Sequence, residues 1–177
     1  MAARTFVGFG FGPIQSALFL YEAFRSGHFS RLVVAEVNEA MVQAVRSAAG
    51  RYTINIALPD RIEPATVSGV ELYNPAVPED RRQIVQAIAE SDELATSLPS
   101  VAFFDRDHPT SVARALADGF ALRPTPRPTV IYAAENHNHA AELLRQAVEK
   151  YCPPPTLQGI QFLNTVIGKM SQVVTDP

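Results

Sequence analysis

The segment Phe6-Val-Gly-Phe-Gly-Phe-Gly-Pro-Ile-Gln15 constrains this chain more than any other. Thr5 to Phe9 is a short apolar run of the kind that forms a buried strand. It runs into Gly10-Phe11-Gly12, and Pro13 opens a stretch with apolar residues at Ile14, Ala17, Leu18, Tyr21 and Phe24, which is helical spacing up to Ser26. Proline suits a first helical turn because its missing N–H would be unpaired there anyway. Glycine lets the backbone turn tightly and approach a diphosphate, which the amino end of the following helix then attracts.

The rest of the chain alternates. Arg31 to Val37 reads as a second buried strand, and Glu39 to Ala49 as a helix ended by Gly50. Tyr52 to Ala57 and Val67 to Tyr73 are rich in strand-forming residues, broken into short pieces by Pro59, Pro64 and Gly69. Helix is expected over Asp80 to Glu90, Pro109 to Asp118 and His139 to Tyr151. Strand is expected over Leu94 to Leu98, Thr129 to Ala134 and Gly159 to Val166. Strands alternating with helices across short loops imply an α/β fold, a doubly wound, mostly parallel sheet with helices on both faces. Its ligand site is expected at the carboxyl ends of the strands.

With 177 residues the chain is expected to be one domain, residues 1–177. Apolar residues make up 47% and charged residues 19%, the balance of an ordinary globular protein. The net charge of −3 with no basic stripe argues against nucleic acid as a partner. No apolar run approaches the ~18 residues a membrane span needs, and the first residues lack a signal-peptide pattern, so the expected location is cytoplasmic. A single cysteine, Cys152, excludes an internal disulfide framework.

Glu36 ends the second strand, 21 residues beyond Gln15. An acid ~20 residues past a G-x-G-x-x-G turn is the expected acceptor for ribose hydroxyls. A carboxylate there repels a 2′-phosphate, so the expected cofactor is NAD rather than NADP. The third glycine position of the pattern is Gln15. Two outcomes follow for it: the amide donates to a phosphate oxygen, or it fills the diphosphate volume and blocks binding.

The order of these segments resembles the mannitol-1-phosphate 5-dehydrogenase type of the polyol-specific long-chain dehydrogenase family, over its amino-terminal cofactor domain. Gly10-Phe-Gly-Pro-Ile-Gln15 resembles the family's G-x-G-x-I-G, and Ala35-Glu-Val-Asn38 its A-D-V-N. Tyr52-Thr-Ile-Asn-Ile56 with Thr66-Val-Ser-Gly-Val70 resembles the β-segment after its second helix, and Ala134-Glu-Asn136 its C-E-N or C-D-N. The resemblance implies that Gly10, Gly12, Pro13, Ile14 and Gln15 surround the diphosphate. It implies that Glu36 and Asn38 flank the adenosine ribose, that Ser97 and Leu98 lie over the cofactor, and that Glu135 sits near the nicotinamide. Asn136 becomes the candidate catalytic residue, donating to a substrate oxygen that turns anionic. The implied reaction passes a hydride between nicotinamide and a small-molecule polyol or polyol phosphate. The family's lysine base belongs to a carboxyl-terminal helical domain beyond Pro177, so this stretch alone is expected to turn over poorly. Departures are Gln15, Ser16-Ala17 for the usual Arg-Gly, and Gly168 for an acid.

Other constellations carry less. His137-Asn-His139 with Asp105, Asp107 and His108 could suggest a metal site, but His-x-His places two rings on one face only in a strand, and this segment opens a helix capped by Asn136 or Asn138. His137 is also a candidate substrate contact. Cys152 reads as an inert thiol, and Lys169 as a surface residue rather than a base. Two rival functions remain. One is a non-catalytic nucleotide-binding sensor or assembly module. The other is an S-adenosylmethionine methyltransferase, which shares the G-x-G turn but needs an acidic or Asn-Pro-Pro motif that nothing here resembles.

Overall fold

The computed structural model describes residues 4–106 and 109–168. Six parallel strands form one sheet in the order β5-β2-β1-β6-β7-β8. They are β1 (Thr5–Phe9), β2 (Arg31–Ala35), β5 (Val70–Tyr73), β6 (Glu93–Thr96), β7 (Thr129–Ala133) and β8 (Ile160–Asn164). The chain winds outward from β1 to one edge and then from β6 to the other. This is the doubly wound, Rossmann-like arrangement, and the direction reverses between β1 and β6, where such sheets hold their ligands.

Two apolar cores flank the sheet. One packs α3 (Pro78–Glu90), α4 (Val112–Ala121) and α5 (Ala140–Glu149) against Val7, Phe9, Val33, Leu94 and Ile131. The other packs α1 (Leu20–Ser26) and α2 (Glu39–Ser47) against Phe6, Leu32, Val34, Leu72 and Ala95. The alternation along β1 follows from the pleat, which turns successive side chains to opposite faces.

The sequence reading departs from the structure at three places. The β-rich region after α2 contains an extra strand: β3 (Tyr52–Ala57) and β4 (Ile62–Val67) form an antiparallel hairpin separate from the main sheet. Pro64 hides this strand in the sequence, yet each strand of a two-stranded ribbon keeps one unpaired edge, the kind of place where a residue without N–H is tolerated. The helix expected from Pro109 starts at Val112, where the Ser111 hydroxyl accepts from the Arg114 N–H. The cap of α5 is neither Asn136 nor Asn138. His139 holds the cap position without a side-chain bond, and Asn164 at the end of β8 accepts the Ala141 N–H at 2.8 Å.

Candidate functional site

Helical backbone begins at Pro13, as the sequence implies, but Gln15–Phe19 is a π-helical turn before α1. The first residue of this turn is Gln15. In a G-x-G-x-x-G turn the third glycine lets helix and strand pack closely. Here the amide of Gln15 is fully buried and lies against the Cα of Gly8 in β1, where an added Cβ would meet Nε2 at 2.2 Å. The glycine that makes room has moved from helix to strand, and the widened turn absorbs the rest. The Tyr52 hydroxyl donates to the carbonyl of Ser16 in this turn at 2.7 Å, and the Tyr52 ring meets Phe11 edge to face at 5.0 Å. Burial pushes the Tyr52 phenol up from its ordinary value. Gln15 does not line the cavity at the carboxyl ends of β1 and β6, and its Nε2 and Oε1 have no hydrogen-bond partner among the described residues.

A cavity of about 460 Å³ opens at the carboxyl ends of β1 and β6. Its floor is the glycine turn, Gly10 to Ile14. Its walls are Ala35 to Val37 at the end of β2, Ser97 to Pro99 after β6, and residues at the amino end of α4. Gly10 has φ +82, and an added Cβ would stand 2.9 Å from the Ser97 carbonyl oxygen, so both conformation and space demand glycine there. A Cβ on Gly12 would meet nothing within 4 Å. No neighbour forbids a side chain at Gly12, so its absence keeps the turn bare.

Glu36 lines the cavity and also braces the turn. Its Oε2 accepts the Phe11 N–H at 2.7 Å and its Oε1 the Asn38 N–H at 2.8 Å. A carboxylate has about four lone-pair sites, so each oxygen can accept once more. Asn38 lies outside the cavity lining and caps α2, accepting from the Met41 N–H. Ser97 and Leu98 line the wall, and the Ser97 Oγ is buried without a partner.

Glu135 is 4% exposed and does not line the cavity. Its carboxylate accepts from the Thr96 hydroxyl and the Leu98 N–H, both at 2.9 Å, and so ties β7 to the loop that forms the cavity wall. Burial raises its pKa above the ordinary carboxyl value, against the lowering effect of those bonds. Asn136 and His137 are exposed beyond the end of β7, and neither lines the cavity. His137 Nδ1 accepts the His139 N–H, and the two rings lie 6.2 Å apart. Asp105 is held by Lys150 and Tyr151. Asp107, His108 and Lys169 lie outside the described residues. Cys152 is buried, its thiol pushed up by desolvation.

Among the predicted site residues, the cavity gathers Gly10, Gly12, Pro13, Ile14, Glu36, Ser97 and Leu98, and leaves out Gln15, Asn38, Glu135 and Asn136. The sequence reading missed Pro75, Phe103, Arg106 and Val112 in its walls. Only topology brings those together, and the one local signal was the position of each shortly after a strand or at a helix start.

No family model and no curated protein matches the chain. Among solved structures it is similar to the WlbA dehydrogenase from Bordetella pertussis, determined in complex with NADH and UDP-GlcNAcA, at 12% identity and a TM-score of 0.47. The alignment covers 92% of this chain and 37% of that one, so the chain spans just over a third of its length. The fold assignment rests on the strand order itself.

Proposed function

We propose that this chain is the NAD-binding domain of a dehydrogenase. The observation that carries the reading is the cavity at the β1/β6 reversal, floored by a bare glycine turn and rimmed by a carboxylate with acceptor capacity left. Gly12 and the N–H groups behind Pro13 would hold the diphosphate. Glu36 would accept from the ribose hydroxyls, and Val37 and Leu98 would pack on the adenosine. The nicotinamide would supply hydride exchange. The substrate side of the reading comes from the resemblance to polyol dehydrogenases: a polyol or polyol phosphate, held with the help of a further helical domain, with Asn136 donating to the reacting oxygen.

Titrating the protein with NADH and NADPH, followed by cofactor fluorescence, tests the binding. NADH is expected to bind more tightly, and Glu36→Ala to narrow the gap; equal affinities in the unmutated protein overturn the assignment of Glu36. Steady NADH formation from NAD and a polyol phosphate is expected only with the additional domain present. A second reading, a nucleotide-binding module without chemistry, is favoured by the position of Asn136 outside the cavity. It predicts cofactor binding unaffected by Asn136→Ala and no turnover in any context.

A further inference from the structure

Resting on the nucleotide reading, we propose that Arg106 is the residue that grips the diphosphate of the bound nucleotide. Among the described residues lining the cavity only Glu36 and Arg106 carry charge. Glu36 accepts two backbone N–H groups, from Phe11 and Asn38, and makes no ion pair with Arg106. Arg106 makes no ion pair with any described carboxylate, although most of the described arginines do. Its guanidinium lies 4.5 Å from the centroid of the Phe103 ring, which also lines the cavity. Stacking on an aromatic ring uses the flat face of the guanidinium. It leaves the N–H edge free for a planar, two-point grip on phosphate oxygens, the geometry arginine suits best.

Two further features line the same cavity. The buried Ser97 hydroxyl has no partner and belongs to the cavity wall. The amino end of α4, a helix of 10 residues, opens on it through Ser111 and Val112. Aligned peptide dipoles make that end positive. A cavity that gathers an arginine without a described carboxylate partner, an unpartnered hydroxyl and the positive end of a helix suits an anion. An adenine dinucleotide offers two anionic groups, the diphosphate and, in its phosphorylated form, the ribose 2′-phosphate. The Glu36 carboxylate on the ribose side opposes the second. The diphosphate remains.

The test compares the full chain with Arg106→Gln and Arg106→Lys by calorimetric titration with adenosine, ADP, inorganic pyrophosphate, NADH and NADPH. Arg106→Gln is expected to weaken ADP and NADH about tenfold or more and to leave adenosine within about twofold, with Arg106→Lys between the two. Binding of ADP to the unmutated protein is expected to weaken with salt more steeply than binding to the variant. An equal loss for adenosine and ADP overturns the proposal by making Arg106 a base-stacking residue. Unchanged ADP affinity overturns it outright, and a loss confined to NADPH moves the contact to the 2′-phosphate. If the unmutated protein binds neither adenosine nor NADH, the nucleotide reading fails; pyrophosphate binding that still depends on Arg106 would then mark an anion site of another kind. Arg106 is exposed on a loop, so both variants are expected to keep the fold, checked by circular dichroism.

Discussion

The two ends of the central sheet treat charge in opposite ways. At the amino ends of the strands, a second cavity of about 400 Å³ is lined by Arg4, Asp92, Glu93 and Arg127. Every one of these charges has a partner. Arg4 meets Glu93 at 2.8 Å, Arg127 meets Asp92, and Asp92 also accepts the Thr5 N–H. Nearby, Arg123 donates to the carbonyls of Ile88, Ala89 and Ser91 and to the Thr129 hydroxyl. Burial lowers its pKa to about 10, and it remains the charged hub of that end. At the carboxyl ends, the larger cavity holds Arg106 without a described carboxylate partner, and the Ser97 hydroxyl has no hydrogen-bond partner among the described residues. Cavity size alone would not separate the two ends. Paired charges at one end and unpartnered groups at the other do.

The comparison can be broken from either end. The largest effect is expected from Arg123→Ala. It strips partners from several buried carbonyls, and the expected loss is about 3 kcal/mol in urea unfolding, with NADH affinity of the folded fraction unchanged. Gly8→Ala should follow. A methyl group there collides with the Gln15 amide, and the expected cost is about 2 kcal/mol of overpacking. Adding Gln15→Ala should restore most of that loss, because the two side chains share one space, and a double-mutant cycle in thermal unfolding measures the coupling. Gly12→Ala sharpens the contrast. Its new methyl meets no protein atom, so stability should move by less than about 0.5 kcal/mol. NADH affinity should fall about tenfold if the turn carries the diphosphate.

The smallest effect is a pH dependence at Glu135. Burial raises its pKa in the folded protein above the unfolded value. Such a group binds its proton more readily when folded, so its contribution to stability is fully present below the unfolded pKa and declines as pH rises through the folded one. The stability of the unmutated protein relative to Glu135→Gln should therefore grow as the pH is lowered from 7 towards 5. A gap that shrinks over that range would show the carboxylate to be stabilised rather than penalised by its site.

Local chemistry announced the fold well. The strand, glycine turn and helix from Thr5 to Ser26, and the β7 strand from Thr129, follow from apolar spacing and turn residues that act on their own neighbours. What the sequence concealed depends on partners far along the chain. Gln15 was expected beside the ligand because position in a motif says nothing of where a side chain turns. Gly8, seven residues earlier, supplied the hole into which it points. Glu135 fastens Thr96 and Leu98, 39 and 37 residues away, which no local pattern announces. Asn164 caps a helix that begins 24 residues before it. Arg106 carried no motif at all.

The chain has no tryptophan, and Tyr52 is one of five tyrosines. Its ring rests on Phe11 in the cavity floor, and its hydroxyl is bound to the Ser16 carbonyl. Ultraviolet absorbance of the protein is thus dominated by tyrosine, and one of these chromophores is mounted on the glycine turn. A ligand that shifts Phe11 changes the surroundings of that ring, so a difference spectrum reports occupation of the turn without any label. In an alkaline titration burial should make the same ring resist ionisation.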